Sequence, residues 1–491
     1  VRTVLTTCPF CACGCGLYLH ADGNLPVGVA ASPHHPISVG RLCARGWSAH
    51  HAAAWGPRLT RPLLRRDGQR VELGWDEALD AAASRLDDLR RRRQSIGVIA
   101  SPRLSNEDSY LTTRLARAAL GTPNIDAPLR ADYERVLAAI AAVTGGWHGL
   151  GSFEEIEKAD LILLIEGDLA GSHPRAASAV TRAVAGGARL ICFGQLPTQM
   201  ARLACTSFPM RCGAESAAVA PLLSAVLAAT AAGARVGDQP AGMDALRTSL
   251  AGVSASQAER EAAQWCAEAA APSLLVAPFA TTGVSLHQLA LAVADLAVLL
   301  GLAGRPGAVL LVLPTRSNAR GSLEMGVTPE ALPGGRALGN ADLADRLAAA
   351  WGARPVVDRG LSGSEMLGRT AGLVIVGDAL AGDLPAGVGP LAELLAGTEL
   401  VVALGAFESA VVERADVVLP IAAVVESAGT VTSADGRIQR LRPCVAAPGG
   451  ARAAGWVLAE LSRRLGLPAA PTAPERVLAE LTKLVPGYEA V

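Results

Sequence analysis

A surplus of charge of either sign is absent from this 491-residue sequence, in which 44 Lys and Arg stand against 45 Asp and Glu. The near-zero balance offers no electrostatic case for nucleic acid or an anionic membrane as partner. A long unbroken apolar run is missing too. Of the two longest, 217–234 is mainly alanine and contains Pro221, Ser224 and Thr230, while 286–304 carries His287, Gln288 and Asp295. Both read as buried helices and no membrane insertion is expected. No apolar leader precedes the first cysteine, so cytoplasmic residence is the expectation and disulfides are not. No G-x-G-x-x-G opens a helix, which removes the usual fingerprint for NAD.

What is present is apolar and ordered. Hydrophobic residues make up 51% of the chain and charged ones 18%, enough for two to four domains with substantial cores. The stretch 58–75 reads as extended around a DG turn, leading into a helix that starts near Asp76 and ends in the cationic run Arg90 to Arg93. Short apolar strands at 95–101, 159–167, 188–194, 272–278, 371–378 and 398–405 alternate with alanine-leucine helices. Runs of this kind mark parallel strands covered on both faces, hence doubly wound α/β sheets. Ligands of such sheets sit beyond the carboxyl ends of the strands. The loops to watch are therefore Gly167 to Pro174, Gly194 to Thr198, Pro278 to Gly283 and Gly377 to Asp383.

The chemistry is concentrated near the start. Cys8, Cys11, Cys15 and Cys43 form a C-x2-C-x3-C-x27-C pattern, a closely spaced triplet and one returning thiol that suit a [4Fe-4S] cluster. Gly14 and Gly16 relieve the tight loop. Four cysteines also satisfy structural zinc, although zinc knuckles more often come in two separate pairs. Cys13 leaves the ligand register open. Cys192, Cys205, Cys212, Cys266 and Cys444 are scattered singly and read as buried thiols.

From residue 8 to about residue 488 the chain resembles the molybdopterin oxidoreductase family, in particular formate dehydrogenase catalytic subunits and the large iron-sulfur subunit of NADH:quinone oxidoreductase. The resemblance is carried by CPFCACGCGL, HHPISVGRLCARG, RLTRPLLRRDG with WDEAL, SNEDSYLTTRLARAALGTPNID and EEIEKADLILLI. Later come HPRAASAVTRAVAGGARLI, GRPGA, TRSNARGSLEMG and ADVVLPIAAVVESAGTVTSADGRIQR. It implies a small N-terminal [4Fe-4S] domain packed on two doubly wound, mainly parallel α/β domains. The expected division is 1–57 for the cluster, joined by part of 422–443; 58–126 with 317–421 for the first α/β domain; 127–316 for the second; and 444–491 as a helical segment. The family also carries a molybdenum or tungsten bis(pyranopterin guanine dinucleotide) between those domains.

The departures from the family pattern matter as much. Where the family has Cys or selenocysteine followed by His, this chain has Asp132 and Tyr133, with Arg130 preceding them. Asp132 is a hard oxygen donor that could ligate a high-valent metal, or an ordinary polar residue left after loss of that metal. For the dinucleotide, the resemblance points to Asp168, His173, Glu215, Arg305, Asn318 and Arg320. Arg45 stands where the family often has Lys, as a cation between cluster and pterin, or as an Arg satisfying loop carbonyls. The chain ends after APERVLAELTKLVPGYEAV, where family members continue into a β-rich domain closing over the pterins, so that cap is expected from another polypeptide. The expected function is an oxidoreductase subunit passing electrons through the cluster within a complex whose other subunits carry iron-sulfur clusters or flavin. The alternatives are a formate dehydrogenase-like molybdoenzyme with Asp132 on the metal, and a zinc scaffold without redox chemistry.

Overall fold

Apolar strand segments with no polar interruption have nowhere to go but the middle of a covered sheet. The structure, a computed structural model, describes residues 1–489 except 55, 129, 145–150, 166, 232–241, 278–282, 304, 381–389 and 486. Ile96–Ala100, Leu161–Ile165, Pro272–Val276, Gly372–Val376 and Leu400–Gly405 are buried along their whole length, and Arg189–Gly194 along all but its ends. They fall into two parallel sheets. In the five-stranded sheet the order is Thr206–Pro209, Arg189–Gly194, Leu161–Ile165, Pro272–Val276 and Val309–Val312, all parallel.

The seven-stranded sheet runs Gln69–Glu72, Leu63–Arg66, Val417–Pro420, Leu400–Gly405, Gly372–Val376, Ile96–Ala100, Ile125–Asp126. Its last five strands are parallel, and the first two form an antiparallel hairpin on the edge. That hairpin turns at Asp67 and Gly68, with φ of 49° and 79°, so the DG dipeptide supplies the left-handed pair such a turn requires. The helix after it spans Trp75–Arg91. In sequence the five-stranded sheet is inserted between Ile125–Asp126 and Gly372–Val376 of the seven-stranded one, four of whose strands precede it and three follow. Among the described residues no helix is long and apolar enough to cross a membrane. Residues 278–282 and 381–383 of the expected ligand loops, and Gly304 of GRPGA, lie outside the described residues.

Three of the five apolar cores among the described residues position the layers. One packs the helices Ala454–Arg464 and Pro474–Leu484 with Tyr110 and Trp351 on a face of the seven-stranded sheet. A second packs the helix Arg130–Thr144 on the five-stranded sheet. The third joins the opposite face of that sheet, through Ile162, Leu164, Leu190 and Leu311, to Cys8, Cys11, Cys13, Leu17 and Leu19 of the N-terminal layer. This layer is a three-stranded antiparallel sheet of Arg2–Thr7, Gly16–Asp22 and Leu25–Ala31. Two of the scattered cysteines correct the expectation of buried thiols. Cys205 and Cys212 are exposed, because they flank Thr206–Pro209 at the outer edge of its sheet.

A second hairpin, Gly429–Thr432 with Ile438–Leu441, bolts the layers together. On one side Glu107 accepts from Thr430 N at 2.8 Å and from its hydroxyl at 2.9 Å, and Asn318 Oδ1 accepts from Thr432 N at 2.7 Å. On the other, Ala434 N donates to Ala12 O at 2.8 Å and Thr7 Oγ1 to Arg440 O at 3.0 Å. Burial pushes the Glu107 carboxyl up to about 7 against the pull of Thr430 N–H, and burial pushes Asp108 up to about 6. The folded chain therefore keeps protons that the unfolded chain releases. Their stabilisation is full below the unfolded values and is lost as pH rises through the folded ones. Melting temperature should accordingly fall between pH 5 and pH 7.5, and Glu107→Gln should flatten that slope; an equally steep fall in the variant would contradict the assignment.

Candidate functional site

The cysteine loop is the turn between the first two strands. Thr7 and Gly16 are paired in register, and Cys8 N donates to Cys15 O at 2.8 Å, so residues 8–15 are pinched shut at their base. Gly14 takes φ 69°, and a Cβ there would lie 2.2 Å from Gln439 Oε1. At Gly16 a Cβ would run into the His35 ring. His35 Nδ1 accepts from Gly16 N at 3.2 Å and Ile37 N at 3.3 Å, and Gln439 Nε2 donates to Gly14 O at 2.6 Å. Side chains from two other segments thus hold the loop by its glycines.

Cys43 reaches the same place from the start of the short helix Ala44–Trp47. Cys8, Cys11, Cys15 and Cys43 line a single cavity of about 160 Å³, together with Phe10, Arg41, Leu42 and Gly46. The far wall is Pro174, Arg175 and Ser178 of the helix Pro174–Ala185, which follows the central strand of the five-stranded sheet. Cys13 is buried but is not among the lining residues. The first three lining cysteines are buried and Cys43 is half-buried.

Electrostatics at the cavity explains what could fill it. A hydrogen bond from Cys13, with help from His173 and Arg45, pulls the Cys11 thiol down to about 5 against its burial. Burial and then the neighbouring sulfurs Cys11 and Cys43 push Cys15 up to about 12, while burial and then Cys15 and Cys11 raise Cys8. Four such groups cannot ionise together in an apolar pocket without a cationic centre among them. One zinc ion would need sulfurs about 3.8 Å apart, from Zn–S bonds of about 2.3 Å. Among the described residues no three His, Cys, Asp or Glu side chains are set to hold a single ion, whereas a cubane takes its thiolates at wider separation. The donor set fits an iron-sulfur cluster.

Arg41 and Arg175 line this cavity, and Arg45 lies near enough to Cys11 to favour its thiolate. Arg45 Nη2 donates to Ser172 O at 2.6 Å, which ties the cysteine layer to the loop before the wall helix. Arg175, which the sequence reading passed over, bonds Ile37 O through Nε and pairs with Glu157 at 2.8 Å. Its signal was the H-P-R tripeptide, which sets a cation on the first turn of a helix that begins beside His173. His173 is buried, and its Nε2 donates to Pro314 O at 2.9 Å, with burial holding its pKa down.

A family model described as molybdopterin oxidoreductase matches residues 58–343 and 389–464, and one described as the molybdopterin oxidoreductase Fe4S4 domain matches 1–53. The chain belongs to the molybdopterin oxidoreductase family. It is 28% identical to F420-dependent formate dehydrogenase 1 subunit alpha of Methanococcus maripaludis, over 99% of this chain and 74% of that one. With formate dehydrogenase H of Escherichia coli the identity is 26%, over 99% and 72%. Acetylene hydratase from Pelobacter acetylenicus shares the fold, with TM-score 0.73 at 17% identity over 99% of this chain and 72% of that one.

The remaining family positions are dispersed. Asp168 is exposed, with Oδ2 folded 2.7 Å from where a Gly171 Cβ would be. Glu215 is buried and accepts from Gln195 Nε2 at 3.0 Å and Gly213 N at 2.9 Å, joining two loops at one end of the five-stranded sheet. Arg305 is at the other end, where it donates to Leu300 O at 3.0 Å and Ala269 O at 2.6 Å. Asn318 is buried and bridges Leu104 O and Thr432 N, and Arg320 bonds Glu324 at 2.8 Å and Ala434 O at 2.9 Å. Asp132 is half-exposed on its helix, 3.6 Å from Arg135, and Tyr133 is buried in the core behind it. In this molybdopterin oxidoreductase fold, Gly14 has no room for a side chain. Gly14→Ala should cost about 2 kcal/mol in chemical denaturation, from the left-handed backbone and the Gln439 contact together.

Proposed function

We propose that this chain is an electron-transferring oxidoreductase subunit of its family, with a [4Fe-4S] cluster held by Cys8, Cys11, Cys15 and Cys43. The observation that carries the reading is the convergence of these four thiols, from two separate segments, on one cavity. Such a cluster supplies one-electron oxidation and reduction without proton transfer or bond rearrangement. The chain's own residues do the rest. The pinched loop and the helix Pro174–Ala185 keep water from three of the sulfurs, and Arg45 and Arg175 set positive charge beside them. In the same reading 1–57 with part of 422–443 form the cluster domain, 58–126 with 317–421 and 127–316 the two α/β domains, and 444–491 a helical segment docked on the first.

The relatives' printed names include subunit alpha, which supports a place within a larger assembly whose partners carry iron-sulfur clusters or flavin. Ten unpaired cysteines support a reducing compartment, the cytoplasm in this proposal. The molybdenum or tungsten pterin is a different matter. Of the residues expected to hold it, Arg305 is turned to carbonyls at the wrong end of the sheet, and Asn318 has both ends of its amide engaged by backbone. The one protein donor for such a metal, Asp132, pairs with Arg135 near solvent. These residues do not fit the group, and no substrate step is assigned to it.

Anaerobic purification should give about four irons per chain and a cubane EPR signal on reduction. Cys43→Ser should lose or alter that signal; an unchanged one would refute the ligand assignment. Removing a nearby cation disfavours the added electron, so Arg45→Met should lower the midpoint potential by on the order of tens of millivolts with iron content retained, as read by EPR titration.

A further inference from the structure

Acid is missing from one long stretch of this otherwise balanced chain. Between Gly23 and Arg66 there is no Asp or Glu, although the whole chain holds 45. The same stretch carries Arg41, Arg45, Arg58, Arg61, Arg65 and Arg66. Away from the cysteines Arg58 pairs with Glu426 at 2.7 Å, Arg61 with Glu72 at 3.3 Å and Arg66 with Glu77 at 3.1 Å, while Arg65 is taken up by the carbonyls of Ala415 and Gly68. Arg41 lines the opening, is exposed and enters no ion pair among the described residues. Arg45 meets only a carbonyl.

Flanking the lining residues Arg41 and Gly46 in sequence, two large apolar side chains face solvent. Trp47 is 48% exposed and lies one helical turn from Cys43, to whose carbonyl its N–H donates at 3.0 Å. Val39 is 52% exposed and held at φ 44°. A β-branched residue in the left-handed region is strained, and this one gains no burial in return. Cys43, on the same stretch of chain, is also the least buried of the four cavity cysteines. An apolar pair around an unbalanced cation is the make-up of a protein interface core rather than of a solvated surface.

We infer that the rim formed by Val39, Arg41 and Trp47 is the docking site of an acidic one-electron carrier protein of the ferredoxin class. The inference rests on the cluster reading above and adds to it a face, the residues on that face and the charge of the partner. Local positive potential speeds encounter with an acidic partner, while Trp47 and Val39 supply the contact that orders it. A cluster held by Cys8, Cys11, Cys15 and Cys43 would supply one electron and return to its oxidised level as one iron of the carrier's oxidised pair is reduced. No bond forms or breaks and no proton moves.

The test uses the full chain with its cluster verified by EPR, reduced with dithionite and mixed in stopped flow with an oxidised, acidic plant-type [2Fe-2S] ferredoxin. The second-order rate constant should fall about tenfold or more between roughly 20 mM and roughly 300 mM salt. Arg41→Glu and Trp47→Ala should each lower it about tenfold at low salt, with EPR and iron content unchanged. Val39→Gly should raise the melting temperature and still slow the exchange, an opposition that a purely structural role does not produce. Basic cytochrome c, as a control acceptor, should be reduced faster by Arg41→Glu than by the parent chain. A rate indifferent to salt and to both rim substitutions, with a normal cubane signal, overturns the docking site and leaves the cluster standing. Absence of any cubane signal in the parent chain overturns both.

Discussion

The cysteine layer has too little of its own to stand on, and the constraint that positions it is the buried hydrogen bonding of the hairpin Gly429–Thr432 and Ile438–Leu441. One flank of this hairpin is bonded by Glu107, Asn106 and Asn318, and its turn and far strand hold Ala12, Gly14 and Thr7. Each of these groups is paired away from water, and removing one partner would leave another unsatisfied in a low-dielectric interior. The Tyr488 hydroxyl, 2.6 Å from Thr432 Oγ1 and 2.8 Å from Glu324, extends the same network toward the end of the chain. The geometry of four sulfurs is thereby referred to the seven-stranded sheet, although no cysteine touches that sheet's core.

The other support is apolar. The third core makes the cysteine loop continuous with one face of the five-stranded sheet, so the loop is clamped between a polar bolt and an apolar bed. This arrangement concentrates thiols where water cannot screen them, and it sets their ionisation against one another. A centre with positive charge resolves that conflict, which is why the cavity has the chemistry of a cluster site rather than of four resting thiols. The stretch that carries the fourth cysteine has no carboxylate of its own from Gly23 to Arg66, so Arg41 and Cys43 line one cavity without a local counter-charge.

Dispersal of the pterin-side positions has a physical meaning as well. Asn318 and Arg320 act as interior connectors between the helix Ala319–Glu324 and the hairpin, and Arg305 ends a helix and steadies the approach to two strands. Side chains that complete backbone hydrogen bonds in this way stabilise the fold directly. They do not present free polar edges to a dinucleotide.

Much of this was legible from the order of residues alone. Apolar runs without alternation identified six parallel strands, because a strand covered on both faces tolerates no polar side chain, and the DG dipeptide identified the edge hairpin through the left-handed backbone it requires. The spacing of Cys8, Cys11 and Cys15 announced a common ligand, since three residues so close in sequence cannot be far apart in space. Cys43 joined them as the one returning thiol of the C-x2-C-x3-C-x27-C pattern. The contributions of Gln439, His35 and Arg175, the exposure of Cys205 and Cys212, and the diversion of Arg305 and Asn318 to carbonyls were decided by tertiary structure. Each depends on segments far apart in sequence meeting across a sheet or hairpin, and local pattern carries no information about which carbonyl or cavity a side chain will meet there.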